Sequence, residues 1–283
     1  MDEEQELKAL QKVARDVAQT FERLTKVRAR RADTLPALEA VLASLPSKDD
    51  VTSIAHELRT KLERLVQSIR KDRREGFGTI EAEFVRRAKA EKRPIREVSD
   101  GWRIGMLEIH LRREHGQVRV LYDHEEILPW AAVSDVTDLE AVTKKAQERL
   151  ERSELPEALR ANTFWRAYQA IRADRERRGL SNAGAVPILD FYREVRVELV
   201  RQELAGRPPD RKLTYADLPR WAFLFNLDRY RAQDDVASDK KLALQTGSQT
   251  EQQRGMGLVT NGLNAGEDYK VYCYVVGATT GRT

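Results

Sequence analysis

The stretch LEIHLRREHGQVRVLY, residues 107–122, decides the fold class. Leu107, Ile109 and Leu111 alternate with Glu108, His110 and Arg112. Beyond His115-Gly116, Val118, Val120 and Tyr122 alternate with Arg119 and Asp123. Successive side chains of a strand point to opposite faces, so alternation on both sides of a glycine-containing turn predicts a β-hairpin. Most of the remaining chain repeats its apolar residues at helical spacing. The expected class is therefore mainly α with a minor β component (α+β).

Upstream, Leu10, Val13, Val17, Thr20, Leu24 and Val27 fall at steps of three and four, and Val51, Ala55, Leu58, Leu62, Leu65 and Ile69 repeat the pattern. Such spacing leaves each helix a narrow apolar seam that must be buried against another helix. Helices over 4–31 and 51–74 are predicted, with a short one over 36–45 opened by Pro36. Together they form a helical hairpin or coiled-coil arm within 1–98. The seam of Leu10, Val13, Val17, Leu24, Leu58, Leu62, Leu65 and Ile69 would serve a protein partner or self-association. Gly76-Phe77-Gly78 reads as an interruption, followed by a helix over 79–92 that Pro94 stops.

Downstream of the hairpin segment, 99–135, Asp135 to Asp138 read as a cap for a helix over 136–153. Further helices are expected over 157–178, 188–204 and 216–230, making a bundle within 136–232. Five of the 15 glycines lie between Gly247 and Gly266. They separate possible strands at 241–245, 256–260 and 270–276 in a small C-terminal sheet, 233–283. Helix, short extended piece, two helices and then strands is a winged-helix-like order. The apolar run from Trp221 to Phe225 argues that its third helix is buried rather than a reader of a groove.

Composition bounds the function. Hydrophobic residues make up 41% and charged residues 34% of the chain, and one cysteine, Cys273, excludes an intrachain disulfide or a cysteine zinc cluster. No apolar run approaches the roughly 20 residues of a membrane span. The N-terminus is acidic and carries no apolar leader segment, and a cytoplasmic setting is expected. The net charge is +4, carried by 36 Arg and 14 Lys against 46 acids. Arginine's planar fork suits phosphate. The densest basic cluster comprises Arg86, Arg87, Lys89, Lys92, Arg93 and Arg96. It is expected to contact the backbone of DNA or RNA, although cations at helix C-termini also complement the helix dipole.

The expected function is a non-enzymatic, nucleic-acid-associated adaptor or assembly subunit that uses no cofactor and no metal. A scaffold binding only protein is the first alternative. A metal-dependent nuclease is the second: Glu108, His110 and Asp123 would share one hairpin face and offer hard ligands to Mg²⁺ or Mn²⁺. The bland reading of those residues is a solvated face neutralised by Arg112 and Arg119. Ser248-Gln-Thr-Glu-Gln-Gln-Arg254 resembles the signature loop of SMC-like and other ABC-type ATPases over seven residues, with Gln249 and Thr250 in place of glycines. That resemblance implies a fragment of such an ATPase as a third alternative. No phosphate loop, HExxH, CxxC or GxSxG motif accompanies it.

Overall fold

The computed structural model of the 283-residue chain describes Arg15, Glu39 and residues 53–205, 217–233, 236–237, 240–260 and 269–277. The seam residues Leu10, Val13, Val17 and Leu24 lie outside the described residues, as do the side chains of Leu58, Leu62 and Leu65. The chain divides into two compact units. One comprises residues up to Lys92 with Leu111–Val118 and Trp130–Glu140. The other comprises Arg93–His110, Arg119–Pro129 and the chain from Ala141 onward. The predicted hairpin segment, 99–135, therefore contributes to both.

Helix α1 runs from Ser53 to Ala90 without a break, which corrects the predicted interruption at Gly76-Phe77-Gly78. A glycine costs a helix interior about 1 kcal/mol. Burying Phe77 on the side that also buries Val66, Phe84 and Ala88 outweighs that cost, because each large apolar side chain removed from water contributes about 1.5–3 kcal/mol. In the same unit, Arg113 grips Glu81 through two hydrogen bonds of 2.7 and 2.8 Å, and Arg73 donates to the His115 carbonyl. Arg112 stacks over Trp130 at 4.1 Å.

The predicted hairpin is part of a five-stranded antiparallel meander in chain order: β1 (Ile95–Val98), β2 (Gly101–Ile104), β3 (Leu107–Arg112), β4 (Gln117–Tyr122) and β5 (Glu125–Ala132). The β3–β4 turn is not the two-residue turn expected from His115-Gly116. It is a 3-10 turn over Arg113–His115, closed by Gly116 in the left-handed region at φ 61°. Between β4 and β5 the turn is Asp123-His124, both left-handed, with φ 48° and 64°. Left-handed geometry at both central residues is the two-residue hairpin turn that matches strand twist.

Four longer helices follow: α2 (Val136–Arg152), α3 (Glu157–Arg177), α4 (Ile188–Ala205) and α5 (Arg220–Ala232). Asp135 caps α2 by accepting from Asp138 N at 2.9 Å, as the sequence predicted. Phe164 of α3, Phe191 of α4 and Phe223 of α5 meet with ring centroids within 5.9 Å of one another. The apolar core around them includes Leu107, Val120, Tyr122 and Ile127 of the meander. Asn226, wholly buried, ties the connection before α3 to α5: it accepts from Leu155 N and donates to the carbonyls of Ser153 and Ala222. Helix α5 buries nine of its 13 residues and presents no polar face to a groove.

The C-terminal sheet is antiparallel with order β6-β9-β7: β6 (Val186–Pro187), β7 (Leu242–Thr246) and β9 (Lys270–Gly277). β8 (Leu258–Thr260) also pairs with β9, after the short helix α6 (Gln249–Gln253). Its three longer strands match the predicted ones. Gly257 is obligatory, since a Cβ there would lie 2.5 Å from Val271 Cγ1 and 2.8 Å from the Tyr272 carbonyl. No helix among the described residues is long and apolar enough to cross a membrane.

Candidate functional site

Register within the second unit builds a polar row. Arg96 pairs with Arg103 across β1 and β2, and Arg103 pairs with Glu108 across β2 and β3. Directly opposed residues share one face of a sheet, so Arg96, Arg103 and Glu108 line up. The neighbouring row is Val98, Gly101 and His110, and Gly101 contributes no side chain between the other two. Both rows border a cavity of about 300 Å³, with the turn residues Ser99 and Asp100, His124 and Tyr269 completing it.

At Glu108 and Arg103 this face is buried, which corrects the reading of a wholly solvated face. Glu108 is 1% exposed and Arg103 5%. Tyr269, immediately before β9, lies under the Arg103 guanidinium at 5.0 Å and against the His124 ring at 4.1 Å. The alternation of β3 therefore separates two buried environments, an apolar one and a polar one.

Glu108 is the centre of the polar side. Neither carboxylate oxygen has a hydrogen-bond partner. Oε2 stands 3.4 Å from His110 Nε2 and 3.5 Å from His124 Nδ1. The two imidazoles differ in what their second nitrogen does. His110 is 13% exposed, and its Nδ1 faces the Arg119 guanidinium at 3.5 Å while its Nε2 lies beside the carboxylate. His124 is 45% exposed, and its Nε2 has no hydrogen-bond partner among the described residues. A buried carboxylate behind one imidazole nitrogen, with the other open, is the arrangement that orients a histidine for proton transfer. The Arg103 side chain makes no hydrogen bond or ion pair among the described residues, and its guanidinium faces the Tyr269 ring.

Asp123 belongs elsewhere. It is buried, accepts from the Thr260 hydroxyl and does not line the cavity. Beside it the Tyr122 hydroxyl donates to Asp228 at 2.7 Å. Burial, then the charge of Asp228, pushes the Tyr122 hydroxyl far up, and burial likewise raises the Asp228 carboxyl. This network anchors the Asp123-His124 turn to β8 and so aims His124. Among the described residues no group of three or more histidine, cysteine, aspartate or glutamate side chains is arranged to hold a metal ion. The ligand set expected of Glu108, His110 and Asp123 is thus not assembled.

Of the six residues of the predicted phosphate cluster, Arg86, Arg87, Lys89 and Lys92 belong to the first unit and Arg93 and Arg96 to the second. Arg86 and Arg87 both bind Glu83, and Arg87 also reaches Glu140 at 3.2 Å. Their hydrogen bonds hold the Glu83 carboxyl down to about 2. Lys89 and Lys92 are exposed, and Arg93 is half-buried. Of the six, only Arg96 lines the cavity. Ser248 and Glu251, from the stretch resembling the ATPase signature, form a reciprocal cap on α6.

Sequence reasoning missed Arg103 and Tyr269 and left His124 aside. A readable signal existed for Arg103: Ile95 to Val98 and Gly101 to Ile104 flank Ser99-Asp100, a short turn between extended segments. Tyr269 carried none, because its approach to the meander is a long-range tertiary event. No protein-family model, curated protein or solved structure matches this chain.

Proposed function

We propose that this is a nucleic-acid-associated protein that holds a phosphate of its ligand in the cavity of the second unit, against Arg96, Arg103 and His124. The observation that carries this reading is Arg103. A guanidinium that is 5% exposed and lacks an anionic partner among the described residues is costly to bury, and its cavity is open to an anion. Arg96, aligned with it across the sheet, supplies a second fork at the exposed end of the row. Arg86 and Arg87 act within the first unit, engaged by Glu83 and Glu140.

The test is binding to labelled single- and double-stranded DNA and RNA across a salt series. Wild type should bind with an affinity that falls steeply with salt. Arg96→Ala should weaken binding and flatten the salt slope by about one phosphate contact, whereas Arg86→Ala/Arg87→Ala should leave the slope unchanged. Absence of binding at about 50 mM salt would overturn the proposal in favour of a scaffold that binds only protein.

A further inference from the structure

The cavity holds two buried, opposite charges that share a sheet face yet make no ion pair with each other. Arg103 and Glu108 are cross-strand partners, but the guanidinium lies over Tyr269 and the carboxylate lies between two imidazoles. A ligand that answers this arrangement presents an anion to Arg103 and a proton donor to His124, whose other nitrogen faces Glu108. Single-stranded RNA carries that pair of groups on each nucleotide: a phosphate, and beside it the ribose 2′-hydroxyl.

We infer that His124, positioned by Glu108, is the acid–base residue of an RNA-cleaving site. This rests on the phosphate-binding reading above. Arg96 and Arg103 hold the phosphoryl oxygens. His124 Nε2 takes the proton from the 2′-hydroxyl, whose oxygen bonds to the adjacent phosphorus. The bond from phosphorus to the 5′-oxygen breaks, and the leaving oxygen takes the proton from His124. The products are a 2′,3′-cyclic phosphate and a free 5′-hydroxyl, with one proton moved and no co-reactant consumed. RNA supplies its own nucleophile. DNA lacks the 2′-hydroxyl and is not cut this way. His110 and Glu108 do not touch the substrate: Arg119 bonds Nδ1 of His110, and the Glu108 carboxylate lies 3.4 Å from His110 Nε2 and 3.5 Å from Nδ1 of His124, which it orients by charge.

The experiment uses the full chain with EDTA present and a short 5′-labelled single-stranded RNA. A matched DNA and a 2′-O-methyl RNA serve as comparators. Cleavage of the RNA alone, with cyclic-phosphate ends, is expected. His124→Ala should lose about 10²- to 10⁴-fold in kcat, and added imidazole should restore part of it, because the vacated position is open to solvent. Glu108→Gln should lower kcat about 10- to 100-fold with KM little changed, whereas Arg96→Ala should mainly raise KM. RNA binding without cleavage overturns the catalytic inference and leaves the phosphate-binding reading intact. Absence of binding overturns both. Cleavage that persists in His124→Ala, or yields 3′-phosphate ends from 2′-O-methyl RNA, also overturns the inference.

Discussion

His124 stands with Nδ1 3.5 Å from Oε2 of Glu108, and it does so from a backbone conformation that its side chain disfavours. Its φ of 64° is the left-handed value that hairpin turns ordinarily give to glycine. A β-carbon there costs on the order of 1–2 kcal/mol. Strain of this kind persists where surrounding structure holds it and is concentrated at functional sites.

His124→Gly should therefore be tolerated by the fold. We expect urea unfolding to show a stability unchanged or raised by up to about 1 kcal/mol, together with loss of the RNA cleavage proposed for the site. A loss of more than about 1 kcal/mol would mean that the ring contact with Tyr269 stabilises the turn by more than the strain costs.

The continuity of α1 through its glycines has an equally direct check. A Cβ added at Gly76 or Gly78 meets nothing within 4 Å, and both positions are exposed in the helix. Gly76→Ala and Gly78→Ala should each stabilise by about 0.5–1 kcal/mol, read as a rise in Tm. A fall in Tm would favour the interrupted helix that the sequence suggested.

Asn226 makes three hydrogen bonds from a fully buried position. Truncation to alanine strands Leu155 N and removes the side-chain donor to the Ser153 carbonyl, at about 1–3 kcal/mol for an unsatisfied buried group. Asn226→Ala should shift the denaturant midpoint down by an amount in or above that range, with little change in slope.

Stability should also fall at alkaline pH. Burial pushes the Tyr230 hydroxyl up to about 12 from 10.0, and burial raises Tyr122 in the same direction. The folded state keeps these protons after the unfolded chain has released them. Their contribution is complete below pH 10 and is lost as pH rises through about 12. Tyr230→Phe, followed by thermal unfolding between pH 9 and about 12, should flatten the decline. An unaltered decline would assign it to other groups.

The sequence by itself determined the local elements whose cause is local. Asp135 opens α2 and caps it as its place in the sequence predicts. The glycine-separated strands of the last 45 residues formed near their predicted places. Alternation in Leu107 to Tyr122 placed Glu108 and His110 in one strand with their side chains on opposite faces from Ile109. Alternation divides one face from the other without saying what covers either, so it could not distinguish a solvated face from a buried polar one. That was decided by tertiary structure. Tyr269 and Thr260, far along the chain, close against the meander, and their approach turns a row of surface-like charges into a cavity with an orphaned carboxylate. The same physics joined the two halves of α1: helix propensity at Gly76 and Gly78 is worth about 1 kcal/mol per residue, and burial of Phe77 exceeds it. The engagement of Arg87 follows too, because one of its acids is Glu140, a partner 53 residues along the chain that is brought near only by folding.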